Sequence, residues 1–159
     1  MSLQVDTVFM AAIEADAKVM EIIGGRRWCT ASQEPEDAFI KNTAVPFLIV
    51  NFDGFTSAQG TKDDDFDSGD DTANISITIA AKNSEQLGDL AARVRRAVHN
   101  YLCAHMGEAG VPWSTIPGGG MKTYDQWKPA FFMDLTWQCN VDFDLNNDDD
   151  EQADSNSEI

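Results

Sequence analysis

The sequence is poor in everything that builds a chemical site. Cysteine is scarce: Cys29, Cys103 and Cys139 are far apart and odd in number. With no C-x-x-C pair and no ligand spacing they define neither a disulfide framework nor a zinc site, and reduced thiols of a cytoplasmic protein are expected. His99 and His105 are the only histidines and have no Cys or His partner at zinc spacing. No run approaches the ~18 consecutive apolar residues of a membrane span. The N-terminal stretch does not read as a signal peptide, because Glu14, Asp16, Lys18 and Glu21 interrupt it and it lacks a basic start. Positive charge is short as well, with 11 Lys and Arg against 27 Asp and Glu and a pI near 4.1. Phosphate neutralisation needs clustered Lys and Arg, so neither sequence-specific nucleic acid nor an anionic membrane is an expected partner. The basic cluster Arg93, Arg95 and Arg96 and the pair Arg26-Arg27 read as a solvated helix face and a loop.

Catalytic constellations are missing too. Ser57 and Ser114 have no G-x-S-x-G context, and two histidines near one helix make no triad. Gly118-Gly119-Gly120 leads into Met121-Lys122 and a strand, unlike a phosphate loop, so it reads as a turn. The acidic run from Asp63 invites comparison with a calcium hand. Asp63, Asp65 and Asp67 fit ligand positions, but Ser68 and Asn74 stand where the loop-shaping glycine and the closing glutamate belong. No catalytic, cofactor-binding or metal residue is assigned, no cofactor is expected, and the chain does not read as an enzyme.

What is present is patterning. The formal charge of −16 is concentrated in two segments, the loop Asp63–Asp71 with six acidic residues and the tail Asp144–Ile159 with seven. The remainder of the chain carries −3. Val5, Val8, Phe9, Ala12, Val19, Met20 and Ile23 form one helical stripe, closed by Gly24-Gly25. A weakly patterned connection follows, with room for a short strand near Arg27–Thr30. Phe47-Leu48-Ile49-Val50-Asn51-Phe52, between Pro46 and Asp53-Gly54, predicts a strand covered on both faces. Asn74–Ala80 alternates strictly, with Ile75, Ile77 and Ile79 on one side. Asn83 and Gln86 start a second helix whose stripe runs from Leu87 through Leu90 and Val94 to Leu102. Residues 107–120 read as loop. Met121–Trp127 and the strongly alternating Met133–Phe143 read as a closing hairpin turned at Lys128-Pro129.

These elements predict a single α+β domain over residues 1–143, in the order α-β-β-α-β-β. The expected sheet has about four mostly antiparallel strands, with both helices on one face. Residues 54–72 form a flexible acidic loop in this reading, and 144–159 a disordered acidic tail, since their composition cannot bury enough apolar area to offset ordering entropy.

The order of elements and its landmarks resemble the tail-terminator and tail-completion proteins of long-tailed bacteriophages and prophages. The landmarks are Gly24-Gly25-Arg26 closing the first helix, Val45–Val50, the alternating Asn74–Ala80, Arg93–Arg96 with Tyr101 in the following helix, and the strand Phe132–Phe143. The resemblance covers roughly residues 5–143, while the acidic loop and tail depart from it. It implies a head-tail joining protein of the virion that closes into a ring, expected to be a hexamer, at the head-proximal end of the tail. The implied partners are copies of itself, the tail tube protein and a head completion or connector protein. The implied location is the host bacterial cytoplasm during assembly and then the virion. Two alternatives stay open: another neck component, such as a head-tail connector or head completion protein, or a soluble acidic binding module that mimics nucleic acid.

Overall fold

The computed structural model describes residues 5–56, 71–108, 110–112, 114–125 and 128–141. Most of the predicted loop and the whole predicted tail lie outside the described residues. The elements run α1 (Val5–Glu14), α2 (Ala17–Ile23), β1 (Arg27–Cys29), α3 (Glu36–Asn42), β2 (Phe47–Thr56), β3 (Asp71–Ala81), α4 (Ser84–Ala104), β4 (Ser114–Asp125) and β5 (Ala130–Val141). The class is α+β as expected, but the sheet has five strands, ordered β1-β2-β3-β5-β4. Among the described residues β1 and β2 pair in parallel and the other pairings are antiparallel.

The expected packing of the two long apolar stripes on one face holds. Phe9, Ile13, Ile23, Leu90, Val94 and Val98 are fully buried with Leu48, Val50, Ile75, Ile77, Ile79 and Leu135. Phe9 and Trp137 meet with ring centroids 5.3 Å apart. The two-sided reading of β2 also holds. Leu48 and Val50 face that core, whereas Phe47 and Ile49 face a second, smaller cluster with Trp28 and Phe39. Phe39 meets Phe47 edge-on at 5.3 Å, and Trp28 Nε1 donates to Glu34 O at 2.7 Å. α3 therefore covers one end of the opposite sheet face.

Four sequence expectations are corrected. First, the N-terminal stripe is two helices: Asp16 is extended and its Oδ1 accepts from Val19 N–H at 3.0 Å, starting α2 afresh. Second, the connection holds a helix, α3, which follows Pro35 and has Glu36 and Asp37 in its first turn. Third, the β2–β3 connection is shorter than 54–72, because β2 reaches Thr56 past an irregularity at Asp53 and β3 begins at Asp71. Fourth, the stretch 114–120 belongs to strand β4, so Gly118-Gly119-Gly120 is part of an edge strand. Other local readings match. Gly24 closes α2 in the left-handed conformation at φ 59. Gln86 N–H donates to Asn83 Oδ1 at 2.8 Å, while Gln86 Oε1 accepts from Lys82 N–H at 3.1 Å.

Asp6, in the first turn of α1, is the one buried charged side chain among the described residues. Burial raises its pKa, against the opposing pull of backbone N–H groups of Thr7, Asp6 and Ala31. A carboxyl with a raised folded-state pKa stabilises the fold most below its unfolded pKa, and that contribution is lost as pH rises through the folded value. Asp6→Asn keeps an acceptor for those N–H groups but cannot ionise. The variant is expected to melt higher than wild type at pH 7, with the gap closing as pH falls through the Asp6 titration. A constant gap across a calorimetric pH series would mean that ionisation of Asp6 is not the cause.

Candidate functional site

Away from α3, no helix among the described residues packs on the second face of the sheet. Side chains alternate along a strand, so the isoleucines of β3 turn to the helices and Thr72, Asn74, Ser76 and Thr78 turn outward. On β5, Leu135, Trp137 and Cys139 are buried, and Asp134, Thr136 and Gln138 are exposed. Register places Thr78 opposite Asp134, Ser76 opposite Thr136 and Asn74 opposite Gln138. Thr78 Oγ1 donates to Asp134 Oδ1 at 2.6 Å, and Thr72 Oγ1 to Asn140 Oδ1 at 3.4 Å. These paired rows are amide and hydroxyl, with Asp134 the single charge. In a chain of −16, such a face can meet another macromolecule through many neutral hydrogen bonds without charge repulsion.

One side of this surface ends at β4, the edge strand. Pro117 has no N–H to offer, and the register shift between Gly119 and Lys122 interrupts the edge. Both features hinder unregulated strand addition.

On the helix side, α4 does not reach over β4. The space between them is a groove of about 610 Å³, bounded by Arg95, Arg96, His99 and Cys103 of α4 and by Pro117 and Trp137 of the sheet. Met106 at its end is 61% exposed. Cys103 Sγ lies 3.7 Å from His99 Nε2. The two arginines were expected to lie on a solvated helix face, and they are exposed, but on the side of α4 that borders this groove. Their spacing to His99 at i+3 and i+4 was the sequence signal; the opposing wall comes from residues 112–137 and has no local signature.

The other residues weighed for chemistry are dispersed. His105 hydrogen-bonds Glu108 and stacks on Tyr101 at 4.1 Å between ring centroids. Burial pushes the Cys139 thiol up to about 12, as suits a small core residue. Of the calcium-hand candidates, Asn74 pairs within the sheet opposite Gly54 and Gln138; Asp63, Asp65, Asp67 and Ser68 lie outside the described residues, as does Ser57. Among the described residues no group of three or more His, Cys, Asp or Glu is placed to hold a metal ion. No helix among them is long and apolar enough to cross a membrane.

No family model and no curated protein matches this sequence. Among solved structures, the fold is similar to that of a chain in the virion of a native gene transfer agent (GTA) particle. The TM-score is 0.55 at 13% identity, over 86% of this chain and 92% of that one. At that identity the likeness is one of fold.

Proposed function

We propose that this protein is a structural component of a phage-like virion, acting as a tail terminator or tail-completion protein without turnover chemistry. The observation that carries the reading is the fold shared with a virion chain along nearly the full length of both. The element order that resembles tail-terminator proteins, and the amide and hydroxyl rows on the second sheet face, support it further. In this reading the domain spans residues 1–143, and the segments beyond the sheet serve contacts with neighbours. The protein closes into a ring, a hexamer, at the head-proximal end of the tail, between the tube protein and a head completion or connector protein. Heterologous contacts between copies leave no free end once the ring closes. Assembly takes place in the bacterial cytoplasm and the product stays in the virion.

Free protein is expected to be largely monomeric at micromolar concentration, because the acidic loops of adjacent copies repel until salt screens them. Higher salt, or Asp→Asn changes across Asp63–Asp71, should favour association in sedimentation. Mixed with purified tail tubes, the protein should cap one end of each tube in negative-stain images. Binding to head-side connectors but never to tubes would transfer the assignment to another neck component. If tubes stayed bare and loop-neutralised protein stayed monomeric at every concentration, the ring would be abandoned for a soluble acidic binding module.

A further inference from the structure

In the groove between α4 and β4 two arginines stand beside apolar surface on a strongly acidic protein. Arg95 and Arg96 stand exposed at its rim, and among the described residues neither has a carboxylate within ion-pair range. Trp137, itself buried, and Pro117 form the wall opposite, and Met106 leaves apolar surface open at the end. A ligand that suits this groove carries several negative charges next to one or two apolar anchors.

The chain supplies such a segment at the right place. β5 ends at Val141, one residue past the pairing of Asn140 with Ser114 and two past that of Cys139 with Thr115. Thr115 and Trp137 both border the groove. At about 3.3 Å per strand residue, the end of β5 lies only roughly 7 Å beyond the Thr115 row. Residues 142–159 then carry eight carboxylates and no Lys or Arg, and Phe143 and Leu145 precede the run Asp148–Glu151. The order is anchors first and charges after, within easy reach of an extended chain.

We propose that the groove is the docking site of the chain's own C-terminal segment, with Phe143 and Leu145 against its apolar wall and Asp148–Glu151 beside Arg95 and Arg96. Tethering fixes the effective concentration in the millimolar range, so modest contacts are enough to populate the docked form. Its charge contacts lie at the surface and weaken as salt shortens the screening length. Docking shields the basic rim from other acidic chains, including further copies of this protein. The inference does not depend on the virion reading, since it requires neither ring nor tube.

Cys103 provides a built-in reporter on the groove. In the full chain, Asn147→Cys places a second thiol just before the acidic run, and the neutral oxidant diamide can join the two as a disulfide. The expected product is a monomer, with the cross-link to Cys103 identified by peptide mapping. It should form about fivefold or more faster than in the same chain carrying Arg95→Glu and Arg96→Glu, and it should slow comparably in about 0.5 M NaCl. Equal rates in the two chains, or a product that is only intermolecular, would overturn the proposal. If the charge-reversed chain failed to fold, the salt dependence with the native arginines would decide, and a salt-insensitive rate would sink the idea.

Discussion

Val94→Asp should abolish the cooperative thermal transition of this protein at neutral pH. Val94 is fully buried in α4, within the cluster that joins Phe9 and Ile13 to the isoleucines of β3. Losing the valine forfeits about 1.5–3 kcal/mol of burial. The larger part is the carboxylate, which enters an apolar site with no partner and costs several kcal/mol more. Together these rival the whole stability of a typical domain, roughly 5–15 kcal/mol. Leu90→Asp, one helical turn earlier and equally buried, should behave alike. Asn100→Asp, on the exposed side of the same helix, should stay within about 0.5 kcal/mol of wild type. Circular dichroism melts of the three variants test the placement of α4. A near-native transition in Val94→Asp would show that this face of α4 does not meet the sheet.

Gly119→Ala is expected to be the most damaging change outside the core, lowering stability by on the order of 3 kcal/mol or more. Gly119 has φ +89, and a Cβ there would sit 2.4 Å from Asp134 O, 2.9 Å from Thr136 N and 3.0 Å from Leu135 Cα. All three atoms belong to the backbone of β5, so no side chain can swing aside; the two strands must separate. The neighbouring glycines provide the comparison. At Gly120, φ +113 is strained for alanine but the space is open, so only the conformational cost of about 1–3 kcal/mol applies. At Gly118 φ is ordinary and a Cβ meets only Thr136 Oγ1 at 3.2 Å, which a hydroxyl rotation or a small shift relieves. Urea midpoints should fall in the order Gly118→Ala, Gly120→Ala, Gly119→Ala, the last being lowest. Equal midpoints for Gly119→Ala and Gly118→Ala would rule out the close strand approach at the β4 bulge.

The same three glycines mark the boundary of what local pattern conveys. In the sequence they look like a turn, because glycine usually marks one. In the structure they lie in an edge strand, where a bulge and a close backbone approach need the missing Cβ. α3 was obscured for a different reason. Its buried contribution is essentially Phe39 with Ile40 packed beside it, too few residues to show a helical period, although Pro35 followed by two acidic residues was a start signal. The break at Asp16 was hidden because the apolar stripe continues in phase across it; the extended backbone of Asp16 and its capping hydrogen bond from Val19 N–H distinguish two helices from one.

By itself the sequence determined each element whose buried face repeats at its own period: the isoleucines of β3, the two-sided run of β2, the alternating β5 and the stripe of α4. It also located the acidic segments, since charge needs no fold to be counted. Tertiary structure alone decided that β5 lies between β3 and β4, that α3 covers one end of the far face, and that Arg95 and Arg96 border a groove rather than open solvent. Those outcomes join residues tens of positions apart, such as Ile77 with Leu135 and Arg96 with Trp137. Period and propensity act over a turn of helix or a pair of strand residues, and only the competition for a shared core selects which distant faces meet.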